Sequence, residues 1–299
     1  MARILVTGGA GFIGSHLVDA LIKKNHHVTV VDDLSVGKRK FVNGKAAFCK
    51  IKIQSALLKT VFQKGKFDYV FHLAAQKNLQ YSKSHPVEDA ETNILGSLNV
   101  ITESVKHHVK KIVFYSTAAV YNSNDTPPNR ESDVENPATP YGIAKYTIEK
   151  YLQASQMNYS IMRLSNVYGP RQDSEGEGGV VAIFCKKLAQ GKPPYIFNSG
   201  NQTRDFIFVG DVVRASLKAL TRGKRDYFNV STDQETTINK LFATLSTISK
   251  QHIMPYRGKK VQEQCRSALA NTKAKRILGW FPKTTLATGL KETYHWFIL

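Results

Sequence analysis

ARILVTGGAGFIGSH, residues 2–16, decides how the rest of the chain is read. Ile4 to Val6 form a short apolar run of the kind a buried strand carries. A glycine cluster follows, and then Leu17, Val18, Leu21 and Ile22 recur at helical spacing. Gly9-Ala10-Gly11-Phe12-Ile13-Gly14 fits G-x-G-x-x-G, while Gly8, Gly11 and Gly14 also fit G-x-x-G-x-x-G. Glycines so placed allow a tight turn, let the backbone approach a pyrophosphate and let the helix pack on the sheet. The free N–H groups at the helix start then face the phosphates. The next strand, HVTVVDD (27–33), contains Asp32, 18 residues after Gly14. A carboxylate there suits a ribose 2′-hydroxyl and repels a 2′-phosphate, so the expected cofactor is NAD.

The alternation continues outward from this unit. FDYVFHLAA (67–75), a helix over about 88–108, KKIVFYST (110–117), a helix over about 141–155 and YSIMRLS (159–165) follow in turn. Strands alternating with helices predict an α/β fold built on a doubly wound parallel sheet of the Rossmann kind. Beyond residue 165 the texture changes. RQDSEGEGG (171–179) reads as a polar loop or lid, and residues 192–208 read as short strands and turns. TKAKRILGWFPKT (272–284) reads as a helix stopped by Gly279 and Pro282. The expected organisation is a dinucleotide-binding domain over 1–165, to which the chain returns at about 205–235. A smaller α/β substrate-binding region would then comprise 166–204 and 236–299.

Composition bounds the partners. The chain has 299 residues, 42% of them hydrophobic, which suits a globular α/β protein with ample core. No apolar run reaches the length of a membrane span, and MARILVTGG meets glycines too soon for a secretory signal. Cys49, Cys185 and Cys265 lie far apart without metal-ligand spacing, so no metal is expected and a reducing cytoplasm is the expected compartment. The net charge of +19 is spread over short pairs and triplets such as KRK at 38–40. That favours anionic ligands in general, with no block resembling a nucleic-acid arm.

TPYGIAK (139–145) places Tyr141 one helical turn before Lys145. An ammonium about 5 Å from a phenol, at an effective dielectric near 20, is worth about 3 kcal/mol, or roughly two pKa units. The spacing therefore predicts a tyrosine brought near neutral pH, able to act as general base and acid. Thr117 would hold the substrate hydroxyl that Tyr141 deprotonates, and Lys145 would hydrogen-bond the nicotinamide ribose.

With these stretches, the chain resembles the extended short-chain dehydrogenase/reductase family, of the UDP-galactose 4-epimerase type. The likeness runs nearly end to end, through TGGAGFIG (7–14), VDDLSVG (31–37), FHLAAQ (71–76), TNILGSLNV (92–100), FYSTAAVY (114–121), PYGIAK (140–145), MRLSNVYGPRQ (162–172), TRDFIFVGDV (203–212) and ILGWFPKT (277–284). The resemblance implies that Thr117, Tyr141 and Lys145 are catalytic. It implies cofactor contacts from Gly8, Gly11, Phe12, Ile13 and Gly14, and from Asp32, Asp33, Leu34, Ser35 and Gly37. Further cofactor contacts would come from Ile53, Leu73, Ala74, Ala75, Lys77 and Asn93. Asn166, Gly179, Val180 and Arg204 would face the sugar nucleotide, with Arg257 as the pyrophosphate arginine or simply a surface cation. It also implies a homodimer.

Within that family the dehydratases and the decarboxylase carry a carboxylate straight after the threonine. Here Thr117 is followed by Ala118 and Ala119. That favours a 4-epimerase, which oxidises C4 and returns hydride to the other face of the sugar. Aligning RSALAN (266–271) on its last two residues puts Ala268 at the gate behind C2. A methyl group there leaves room for an N-acetyl substituent, so UDP-GlcNAc/GalNAc joins UDP-glucose/galactose as expected substrate. The chain departs from the family at Lys52, where a carboxylate contacting adenine is common, at Asn122 and at Gly210. Two other readings stay open: another sugar-nucleotide enzyme on this scaffold, such as a uronate epimerase or reductase, and a non-catalytic dinucleotide-binding sensor. His72 reads as a satisfied core histidine, and Trp280 as packing the C-terminal region.

Overall fold

The fold is described from a computed structural model of the chain, covering residues 1–121, 126–175, 179–261 and 264–299. Asn122 and positions 176–178 of the polar loop lie outside the described residues. Strands β1 (Arg3–Thr7), β2 (His27–Val31), β3 (Ala47–Cys49), β4 (Tyr69–His72), β5 (Lys111–Thr117), β6 (Tyr159–Leu164) and β7 (Asp226–Val230) form one sheet. All pairs are parallel, in the order β7-β6-β5-β4-β1-β2-β3. The connections reverse direction between β1 and β4, which opens a crevice at the carboxyl ends of those strands.

Alternation of side chains explains why the sheet needs cover on both faces. Ile4, Val6, Phe71, Val113 and Met162 join one buried cluster, and their neighbours Leu5, Val70, Ile112, Phe114 and Ile161 join another. Helix α1 (Phe12–Lys23) adds Leu17, Val18 and Leu21 to the first cluster. Helix α2 (Leu57–Gly65) adds Leu58 and Phe62 to the second. Sequence spacing predicts one helix over 88–108. The structure resolves that stretch into a short helix Pro86–Ala90, a π-helical turn Glu91–Gly96 and α3 (Ser97–Lys106).

Helix α4 (Pro140–Ala154) starts where Thr139 Oγ1 accepts a hydrogen bond from the Gly142 N–H, with Pro140 at its first position. Beyond β6, the apolar spacing of residues 166–299 hides more helix than the sequence reading found. Helices α5 (Val180–Ala189), α7 (Ile238–Ser249) and α9 (Leu286–Ile298) pack together around Phe184, Leu188, Leu241, Leu245 and Leu290. Between them, α6 (Val209–Ala219) packs on α1, and the chain returns to the sheet through β7. Residues 272–280, grouped from sequence with the smaller region, lie on the sheet side instead. Ala274 and Leu278 of α8 (Thr272–Leu278) and Trp280 join the first sheet cluster. The Trp280 indole donates to the Asp211 carbonyl. The reason is local: Gly279, in the left-handed region, ends α8 and turns the indole back towards α6.

Candidate active site

A cleft of about 1020 Å³ opens at the switch point. Its floor is the glycine turn. Gly8 has φ +73°, and a Cβ on it would come within 2.7 Å of the Ala74 nitrogen, so only glycine lets β1 and the end of β4 approach this closely. A Cβ on Gly14 would lie 2.1 Å from the Gly8 carbonyl oxygen. The bare backbone, the start of α1 and an acidic residue on the next strand end fit a dinucleotide. Gly11, Phe12, Ile13, Asp33, Ser35 and Gly37 all line the cleft, as do Ile53, Leu73, Ala74, Ala75 and Lys77. So does Lys52, where the family's carboxylate is absent.

Asp32 also lines the cleft, but both its oxygens are already engaged: Oδ2 accepts from Ala10 N and Oδ1 from Leu34 N, each at 2.9 Å. Burial raises its pKa, and the two backbone donors pull it back. It therefore shapes the turn from the cleft wall. Leu34 is absent from the wall. Its backbone has φ +63° and its side chain packs against the sheet cluster.

Asn93 sits differently from most of the expected cofactor residues. It is buried (1% exposed) and off the wall, whereas its neighbours Glu91 and Thr92 are on it. Its Oδ1 accepts from the Gln76 N–H, and its Nδ2 donates to the Gln76 carbonyl and to Asp89 Oδ1. The π turn at Glu91–Gly96 adds a residue to the helical repeat and rotates Asn93 inward. Asn93 thus clamps the strand-end segment that carries Lys77. His72 is a satisfied core histidine in the same web. Its Nδ1 faces Thr7 Oγ1 at 2.7 Å and its Nε2 faces Ser97 Oγ at 2.8 Å. Burial holds its pKa down at about 3, so it stays neutral.

Thr117, Tyr141 and Lys145 meet at one end of the cleft. Thr117 ends β5, its Oγ1 accepts from Ala119 N, and its hydroxyl lies close enough to the Tyr141 phenol to lower the phenol's pKa. Lys145 Nζ donates to the Tyr115 carbonyl at 2.9 Å and lies 5.9 Å from the centre of the Tyr141 ring. The expected titration of the phenol is overturned. Burial pushes Tyr141 up to about 12; the Thr117 hydrogen bond works against that, and the charge of Asp89 adds to it. Burial also pushes Lys145 down to about 8, against Asp89 and Glu149, which raise it. Spacing counted the attraction between phenolate and ammonium and left out the cost of desolvating each.

The cleft wall does not include the residues expected to face the sugar nucleotide beyond Thr117. Asn166 is exposed between the lining residues Ser165 and Val167. Gly179 precedes α5, and a Cβ there would strike Gln172, itself on the wall. Val180 packs against the cluster of the smaller region. Arg204 donates to the carbonyls of Thr203 and Gln264, and Arg257 is exposed with contacts to Ser199 and Asn239. Ala268 is 2% exposed, and its carbonyl accepts from Asn129 N. Sequence reasoning missed Gln76, Ser116 and Gln172 on the wall, although each lies within a quoted motif.

The sequence profile of the NAD dependent epimerase/dehydratase family matches residues 4–231. The UDP-glucose 4-epimerase of Mycolicibacterium smegmatis is 37% identical over 307 residues, covering 99% of this chain and 98% of that one. Among solved structures, the Thermotoga maritima UDP-glucose 4-epimerase with UDP-glucose is 44% identical, with a TM-score of 0.96 and 98% of each chain covered. The UDP-N-acetylglucosamine 4-epimerase of Methanobrevibacter ruminantium, in complex with UDP-N-acetylmuramic acid, is 31% identical with a TM-score of 0.95, covering 99% of this chain and 98% of that one.

Proposed function

The chain belongs to the NAD-dependent epimerase/dehydratase family, and from that premise we infer that it is a UDP-hexose 4-epimerase. One observation carries the reading: Thr117, Tyr141 and Lys145 converge at the end of a glycine-floored cleft, with Ala118 and Ala119 following where elimination of water would need a carboxylate. The glycine turn would hold the pyrophosphate of the cofactor and Asp32 its ribose. When bound, NAD supplies the acceptor and later the donor of one hydride. Thr117 orients the C4 hydroxyl of the sugar against Tyr141. The Tyr141 phenolate takes that proton and returns it after the sugar has turned over. Lys145 keeps a positive charge beside the phenolate, and the cationic cofactor adds another. Together they offset the desolvation that holds Tyr141 at about 12 in the free chain.

UDP-glucose and UDP-galactose are the proposed substrates, with UDP-GlcNAc and UDP-GalNAc admitted past Ala268. Arg204, Arg257, Asn166, Gly179 and Val180 are proposed to meet the nucleotide as the smaller region closes on it. A homodimer is proposed through the exposed apolar side chains Val87, Leu95, Ile143 and Tyr151, carried by the Pro86–Lys106 stretch and by α4. No helix among the described residues is long and apolar enough to cross a membrane.

The test is turnover. The purified protein is incubated with NAD and, separately, UDP-glucose, UDP-GlcNAc or UDP-glucuronate, and the products are resolved by chromatography. The expected result is the 4-epimer of UDP-glucose, lost in Tyr141→Phe. A 4-epimer from UDP-GlcNAc supports the open gate. Product from UDP-glucuronate alone, or from none of the three, refutes the reading.

A further inference from the structure

The reacting helix holds the end of β5 by more than its two expected residues. Tyr115, Ser116 and Thr117 are consecutive; the first two are bonded to successive turns of α4 and the third faces a further turn. Lys145 Nζ donates to the Tyr115 carbonyl, Ser116 Oγ donates to Glu149, and Thr117 lies against the Tyr141 phenol. Positions 141, 145 and 149 lie one turn apart on a single helix face. Glu149 is 0% exposed, and a buried carboxylate is costly unless it is paired and hydrogen-bonded. It is both. Arg163 of β6, also 0% exposed, donates Nε to both carboxylate oxygens at 3.1 Å and Nη2 to Oε2 at 2.6 Å.

The remaining Arg163 donors fix the approach to the helix. Nη1 donates to the Tyr121 hydroxyl, and Nη2 to Glu135 in the segment that leads into α4. The guanidinium lies 4.9 Å from the centre of the Tyr121 ring and 4.5 Å from that of Tyr227. The geometry points to Glu149 as a positioning residue of the reaction: bonded to Arg163 and Ser116, one turn beyond Lys145 on the same helix face, it sets the register of α4 against β5. This rests on the epimerase reading, in which Lys145 must be a cation beside Tyr141.

The groups facing Lys145 make the proposal testable. Asp89 and Glu149 are the carboxylates that raise its pKa, Asp89 the more, while His72 is neutral beside it. Glu149, and not Arg163, is among the charges that act on Lys145, so removing the ion pair as a unit still withdraws that charge. Burial has already brought Lys145 down to about 8. Losing Glu149 lowers it further, so the lysine deprotonates earlier as pH rises.

The experiment uses the NAD-loaded enzyme and three variants: Glu149→Gln, the paired Glu149→Gln/Arg163→Met, and Ser116→Ala. The paired variant leaves no buried charge unpartnered and is the safeguard should Glu149→Gln alone fail to fold. Two readouts are taken between about pH 6 and about pH 10. One is kcat with UDP-glucose. The other is the titration of the Lys145 side chain by 13C NMR, assigned with Lys145→Met. The expected result is an alkaline limb and a lysine titration both moved to lower pH by about one unit in the Glu149 variants. Ser116→Ala should lower kcat several-fold with the limb unmoved. An unshifted lysine titration in both Glu149 variants overturns the proposal. If that titration shifts but the wild type epimerises no UDP-hexose, the positioning role stands and the epimerase reading falls.

Discussion

Replacing Gly14 with alanine should abolish cofactor binding while leaving a folded chain. The new Cβ would sit 2.1 Å from the Gly8 carbonyl oxygen and 2.9 Å from the Gly8 carbonyl carbon and the Gly9 Cα. Those separations fall roughly 1 Å short of van der Waals contact. All three neighbours are backbone, so no side chain can swing away, and α1 must retreat from the turn. Overpacking of this kind costs about 1–3 kcal/mol, which a domain of this size survives. The N–H groups at the helix start would lose their aim at the pyrophosphate. Hydrogen bonds to a charged group are worth about 1.5–3 kcal/mol each, so losing two removes about 3–6 kcal/mol. NAD affinity should fall by about two to four orders of magnitude. Calorimetric titration of NAD into the variant measures it, with circular dichroism checking the fold. A dissociation constant within about threefold of wild type would refute the reasoning, because it would mean that the close approach of α1 does not aim the loop.

Three further outcomes are expected. Tyr141→Phe should lower kcat by about 10²–10⁴-fold with NAD still bound, since only proton transfer is removed; equal loss of NAD would point to a packing role. Arg163→Met should destabilise the chain by about 4 kcal/mol, because Glu149 stays buried without its partner; for 299 residues that is a fall of about 6 °C in Tm, read by calorimetry. Asp205 is fully buried, and burial raises its pKa to about 6 against donors from Thr232, Asp233 and Leu269. Unfolded, it titrates near 3.9. Between those values the folded chain holds a proton that the unfolded chain has released, so stability falls as pH rises from about 4 to about 6. Relative to Asp205→Asn, wild type should lose about 3 kcal/mol over that window; a constant difference in Tm would contradict the assignment.

The parts legible in the sequence are those fixed by local spacing. The glycine turn, Asp32 on the next strand end and the Tyr141–Lys145 turn each need only a few neighbouring residues. Residues 141 and 145 converge with Thr117, as the reading required. What spacing could not show is how far each group is desolvated. Lys145 turns to the Tyr115 carbonyl and the half-buried Tyr141 is desolvated, so the phenol is raised where the charge argument placed it near neutral. Asn93 lies inward for a different reason. A π turn breaks the 3.6-residue repeat, leaving Thr92 on the cleft wall and Asn93 inside. Glu149 had a usable signal, since it lies four residues beyond Lys145 on the same face. Its partner Arg163 is on a strand, and only the folded sheet brings the two together.

The sheet order also constrains how the chain comes to be folded. When residue 164 has been made, β6 lies at the edge of the growing sheet, and its partner β7 begins only at Asp226. An unpaired parallel edge is a template for association with other chains. The wait is also costly inside the sheet. Arg163 lacks the Tyr227 ring, and Tyr121 lacks Asn229 as its acceptor, until β7 docks. The sheet cluster stays open until Leu278 and Trp280 arrive. Until residues 226–230 emerge, the β6 edge of the growing sheet is open to association with other chains.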